Sequence, residues 1–172
     1  MHFLAKNKRR SSRYSGFAIA LAWPETLCKQ AGSWYDFLLY YAGINKRGYY
    51  KVGHAAVVLV DDETQSIRYF DFGRYHAPPG HGRVRSAETD HDLSIEIKAI
   101  ISESSTEITN LNEILSELHT NPSTHGSGPI YGVATRINFN EALSFAKKLQ
   151  EMEFISYGPF VPNGTNCSRF VS

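Results

Sequence analysis

The sequence predicts one α+β domain, in which an antiparallel sheet is flanked by a long helix near the N-terminus and by a helix that carries Cys167. Three observations predict it. The runs Lys51–Val60 and Ser66–Gly73 both read as strands, and only the polar stretch Asp61-Asp62-Glu63-Thr64-Gln65 separates them, so they form a hairpin. Helical patterns fall on other segments, Glu25 to Ala42, Asn110 to Leu118 and Asn138 to Met152. The chain has 172 residues, 42% hydrophobic and 13% aromatic, which suits a single core.

In chain order, residues 1–15 are a basic tail with Lys6, Lys8, Arg9, Arg10 and Arg13, and residues 16–172 are the domain. Gly16 to Trp23 is an apolar strand. Pro24 and Glu25 open the long helix, whose Leu27, Ala31, Trp34, Leu38 and Tyr41 are spaced for one buried face and which Gly43 ends. In Lys51–Val60 the stretch Val57-Val58-Leu59-Val60 is apolar on both faces, the pattern of a central strand. Arg74 to Asp92, with Pro78-Pro79-Gly80 and Gly82, reads as a long lid or binding loop. Leu93 to Ile101 alternates as a half-buried strand. Asn110 with Glu113 starts a helix through Leu118 in the manner of a capping box, Ile130 to Ile137 is a further strand, and Asn138 with Glu141 opens the last long helix.

Composition narrows the function. A formal net charge of +1 argues for neither nucleic acid nor an acidic partner, and a solvated terminus accounts for the basic tail. Two cysteines are too few for a disulfide framework, and the apolar run Phe17–Trp23 is short, stops at Pro24 and has no cleavage pattern after it. No stretch approaches the roughly 18 apolar residues of a membrane-spanning helix. The expected location is therefore cytoplasmic.

The chemistry concentrates near the C-terminus. Pro162-Asn163-Gly164 turns the chain, Thr165 or Asn166 caps a helix, and Cys167 falls in its first turn, where unpaired N–H groups favour a thiolate. A thiolate needs a base. His54 lies among Gly53, Ala55 and Ala56, small neighbours that let another segment approach, and it shares a strand face with Ala56, Val58 and Val60. A symmetric hairpin pairs Val60 with Ile67 and Ala56 with Asp71, one diagonal step of about 7–8 Å from His54. Asp71 then orients the imidazole, or Tyr69 or the backbone takes that place. Cys28 reads as a packing residue of the long helix, with a Cys28–His54 pair as the alternative dyad. His76, His81 and the triplet Asp90-His91-Asp92 lack familiar zinc spacing and read as solvated loop. Arg83 and Arg85 read either as surface charge or as a fork for an anionic substrate. No metal or cofactor is called for.

The segment Asn166-Cys167-Ser168-Arg169-Phe170-Val171 resembles the nucleophile motif of papain-fold cysteine hydrolases of the NlpC type, and Gly53-His54-Ala55-Ala56-Val57-Val58 resembles their histidine strand. Histidine precedes cysteine, the order of the circularly permuted branch that includes lecithin:retinol acyltransferase-like proteins. Gly16 to Thr26 and Tyr69-Phe70-Asp71-Phe72-Gly73-Arg74-Tyr75 further resemble a group of bacterial domains of that branch. The resemblance implies a permuted papain-like fold and cysteine-based acyl chemistry on a peptide, amide or acyl substrate. Its catalytic residues carry over to Cys167 and His54, and less directly to Asp71. Relatives also include acyltransferases, and a non-catalytic binding scaffold is the other alternative. The family's cysteine helix runs several turns, whereas this sequence stops five residues after Cys167, so the domain either continues past Ser172 or has a stunted helix.

Overall fold

The computed structural model describes residues 14–29, 36–41, 45–46, 48–158 and 161–172. Its centre is a six-stranded sheet built from β1 (Gly16–Trp23), β5 (His54–Asp61), β6 (Ile67–Gly73), β7 (His81–Arg85), β8 (Tyr131–Ile137) and β9 (Ile155–Ser156). The order is β8-β1-β5-β6-β7-β9 and each pairing is antiparallel. A smaller sheet joins β2 (Leu27–Lys29), β4 (Tyr49–Lys51) and β3 (Asn45–Lys46). The helices are α1 (Asp36–Tyr41), α2 (Leu111–Thr120), α3 (Phe139–Glu151) and α4 (Cys167–Val171).

Alternation along the strands sends side chains to two cores. One face carries Phe17, Ile19, Leu21 and Trp23 of β1 with Ala56, Val58 and Val60 of β5, closed over by Leu93, Ala99, Ile114 and Leu118. The other carries Leu59, Phe70, Phe72 and Val84, covered by Phe139 and Ala146 of α3 and flanked by Phe170 of α4. The β5–β6 hairpin has the expected register, Val60 opposite Ile67 and Ala56 opposite Asp71. This register places Asp71 on the His54 face.

Five expectations are corrected. The long N-terminal helix is not formed as expected: Leu27–Lys29 is a strand paired with Tyr49–Lys51, and helix is confined to Asp36–Tyr41 among the described residues. The unpaired edge of β4 competes for this backbone, Gly53 N–H donates to the Thr26 carbonyl, and the supposed buried positions Leu27 and Tyr41 are exposed. Ala31, Trp34 and the basic residues of the tail lie outside the described residues.

The strand expected over Lys51–Val60 breaks at Val52-Gly53. Gly53 has φ +77°, and a Cβ there would come within 3.0 Å of the Trp23 carbonyl oxygen, so only glycine fits. The break makes His54 the first residue of β5, at the end of the ladder, with Trp23 as its β1 partner. The expected Arg74–Asp92 loop contains β7, which pairs with β6 through Asp71–Arg85, Phe72–Val84 and Gly73–Arg83.

Leu93–Ile101 has the expected in–out alternation but, among the described residues, no strand partner beyond an Ile101–Ile108 bridge. Side chains satisfy its backbone instead. Glu117 accepts from the N–H groups of Glu96 and Ile97 at 2.6 and 3.1 Å. Asn110 accepts from Ile100 N–H at 2.8 Å and donates to the Lys98 carbonyl at 2.9 Å. Asn110 is thereby drawn away from the helix cap predicted for it, and its side chain makes no capping bond. Glu117→Ala takes the carboxylate from the half-buried Ile97 N–H and leaves the exposed Glu96 N–H to water, and is expected to cost about 1 kcal/mol, seen as a lower urea midpoint at unchanged slope. An unmoved midpoint would show that water replaces the carboxylate without cost.

Candidate active site

Three segments meet at one end of β5. The left-handed turn at Gly53 sets His54 at the strand end, where its ring stacks on Trp23 with centroids 5.7 Å apart and meets the edge of Tyr75 at 6.5 Å. From the neighbouring strand Asp71, with no exposed surface, brings Oδ2 to 3.4 Å from His54 Nε2. The contact is an ion-pair approach rather than an aligned hydrogen bond, since Nε2 has no hydrogen-bond partner. From the other side comes α4. Of its two candidate caps Asn166 is the one used, its Oδ1 accepting from Arg169 N–H at 2.9 Å, and Cys167 is the first helical residue. The Cys167 side chain lines the same cleft as the imidazole, and each of the two groups shifts the protonation of the other. The structure thus brings together Cys167, His54 and Asp71, three residues far apart in the chain.

Burial alone would disfavour charge on the ring and on the sulfur, yet both shift the other way. Burial pulls the His54 pKa down, but the Asp71 carboxylate and Cys167 outweigh it and raise it to about 9. Burial pushes the Cys167 thiol up, but His54 and backbone hydrogen bonds from Ala55 and Ser168 hold it below its ordinary value. Each member therefore favours the charged form of its neighbour, the condition for a thiolate–imidazolium pair. With five residues, α4 adds little dipole, so His54 rather than the helix is the main influence lowering the thiol.

Behind Asp71 lies a partner that sequence reasoning placed elsewhere. Arg85, on β7, donates from Nε to Asp71 Oδ1 at 3.0 Å and from Nη2 to Oδ2 at 2.6 Å. Its guanidinium also lies 3.5 Å from the centroid of the Tyr75 ring. Tyr69, the alternative orienter, donates its hydroxyl to the same Oδ2 at 3.1 Å. Arg85 is thus neither surface charge nor an open fork. Arg83 is likewise committed, to Asp90 at 2.9 and 2.6 Å, which removes Asp90 from the ligand-rich triplet. The apolar Val84 between the two arginines was the available signal for a strand, masked by Pro78-Pro79-Gly80 and Gly82. No group of three or more metal-ligating side chains gathers among the described residues.

The sulfur and imidazole open on a cleft of about 480 Å³, also lined by Cys28, Arg74, Tyr75 and His125. Cys28 is not helical: it lies on β2 and donates its thiol to the Gly53 carbonyl at 3.3 Å. Burial pushes its pKa up, and the charge of nearby Cys167 adds to that, so Cys28 is the less acidic thiol of the two. His125, stacked on Tyr75 at 4.9 Å, has its pKa lowered by burial and by Arg85. His125 was not singled out for this cleft, because only the turn before β8 brings it there, whereas Cys28, the alternative partner of His54, reaches it through the small sheet rather than a helix.

Fold and cleft together define an α+β protein in which a cysteine, a histidine and a buried carboxylate converge at a strand end. Residues 18–172 match the family described as Type VI secretion system effector TseH-like, and the chain belongs to that family. In fold it is similar to the crystal structure of the Type VI secretion system effector TseH, with TM-score 0.57 and 24% identity over 93% of this chain and 74% of that one. No curated protein matches it significantly. Among the described residues no helix is long and apolar enough to cross a membrane. Because the family is one of secretion effectors, the cytoplasmic location expected from the sequence does not follow.

Proposed function

We propose that the chain is a cysteine hydrolase of amidase or peptidase character, acting as a secretion effector on a permuted papain-like scaffold. The observation that carries this reading is that Cys167 and His54 line one cleft, with Asp71 Oδ2 3.4 Å from the ring's Nε2. In this reading the Cys167 thiolate attacks a substrate carbonyl and the tetrahedral oxyanion takes a hydrogen bond from the Cys167 backbone N–H, which helix bonding leaves unused. His54 gives its proton to the leaving amine or alkoxide as the thioester forms. Water, deprotonated by His54, then hydrolyses the thioester and the thiolate returns. The family description supports the effector role, and the residue order His54 before Cys167 supports the permuted scaffold.

A thiol-directed probe tests it. Near neutral pH, iodoacetamide is expected to modify Cys167 much faster than Cys28, and His54→Ala is expected to lower the Cys167 rate by about tenfold, as the thiolate fraction falls back toward that of a free cysteine. Equal, slow modification of both thiols would leave a scaffold without catalysis. Hydrolysis is separated from acyl transfer by adding an amine or alcohol and asking whether it captures the acyl group.

A further inference from the structure

Asp71 stands behind His54, yet its well-formed hydrogen bonds go elsewhere. Oδ2 receives Arg85 Nη2 at 2.6 Å and the Tyr69 hydroxyl at 3.1 Å, whereas His54 Nε2 approaches it only to 3.4 Å. Oδ1 is held by Arg85 Nε at 3.0 Å. Arg85 itself is fixed on several sides: its side chain is 4% exposed, Nη2 also donates to the Ser123 carbonyl at 3.1 Å, and the guanidinium covers the Tyr75 ring. A surface ion pair would have none of these restraints.

We propose that Arg85 is a positioning residue for His54: its guanidinium fork holds both oxygens of Asp71, fixes the carboxylate behind the imidazole, and offsets part of the negative charge that His54 meets. The third member of the set is then the buried Arg85–Asp71 pair rather than Asp71 alone. The proposal rests on the catalytic reading of Cys167 and His54. An unshared carboxylate would bind the imidazolium so firmly that the ring returns its proton to a leaving group reluctantly. A fork also locks the carboxylate plane, which a single donor cannot do.

The sign of the effect follows from charge. The titratable groups around His54 are Asp71 and Tyr69 from β6, Arg85 from β7 and Cys167 from α4. Among the described residues Arg74, Tyr75, His125 and, on β2, Cys28 and Lys29 line the same cleft. Removing one positive charge from this cluster makes every remaining proton harder to remove, so both Cys167 and His54 titrate at higher pH.

The test is the pH profile of Cys167 alkylation by iodoacetamide in a Cys28→Ser background, from below the ordinary histidine range to above the ordinary cysteine range. Arg85→Gln is expected to move both titration steps alkaline by about half a pH unit or more. Arg85→Lys conserves the charge but not the fork, and is expected to leave both steps in place while lowering the plateau rate severalfold. Steps that stay put in Arg85→Gln overturn the proposal. So does a plateau in Arg85→Lys equal to that of the parent, which keeps the question decidable where Arg85→Gln does not fold. His54→Ala in the same background separates the two levels: if it leaves alkylation unchanged, the catalytic reading itself fails, whatever Arg85 does.

Discussion

Cys167→Ser is expected to lower the hydrolysis of a chromogenic acyl ester by about a thousandfold or more while leaving the thermal transition in place. The sulfur is the atom whose acidity the site adjusts: against the effect of burial, His54 and the Ala55 and Ser168 backbone hold the thiol below its ordinary value. A serine hydroxyl is far less acidic, so the same partners leave it protonated and a weak nucleophile. Cys167 is only partly buried and the change is one atom, so stability should stay within about 0.5 kcal/mol. Turnover in the variant close to that of the parent would place the chemistry elsewhere in the cleft, with Cys28 the next thiol to test.

The second large effect concerns stability. Arg85→Met is expected to destabilise the fold by about 3 kcal/mol, read as a shifted urea midpoint. Asp71 has no exposed surface, and without Arg85 it keeps only the Tyr69 hydroxyl and the imperfectly aligned His54. The charge on His54 softens the loss, which keeps the expected cost at the lower end for breaking a buried pair. The double variant Arg85→Met with Asp71→Asn removes the stranded charge as well and should recover much of the loss. A double variant no more stable than Arg85→Met would mean that packing against Tyr75, 3.5 Å from the guanidinium, rather than charge, is what Arg85 supplies.

Elements whose pattern is local were legible. The β5–β6 register follows from two apolar runs and a five-residue polar loop, because a strand has period two and a short hairpin leaves little freedom of pairing. That register alone puts Asp71 on the His54 face. The start of α4 at Cys167 and the Asn138 cap of α3, which accepts from Glu141 N–H at 3.3 Å, were equally readable, since capping is settled within a few residues. The family likeness carried the meeting of Cys167 and His54, which no local pattern could supply.

Elements that exist only because something distant completes them were not legible. Leu27–Lys29 is a strand because β4 offers it an edge, although its own spacing reads as helix. Leu93–Ile101 alternates like a strand but lacks a sheet, since Glu117 and Asn110 from and beside α2 satisfy its backbone. Arg85 could not be told from a surface arginine, because its partner Asp71 faces it only through the β6–β7 ladder.

By itself, the sequence determined the candidate residues for the chemistry, the antiparallel hairpin that aligns His54 with Asp71, and the helix start at Cys167. Only the tertiary structure decided that Asp71 is shared with Arg85 and that Cys28 faces the same cleft. The physical reason is one of range: periodicity and capping act within a few residues, whereas a buried charge finds its counter-charge wherever the sheet brings one into reach.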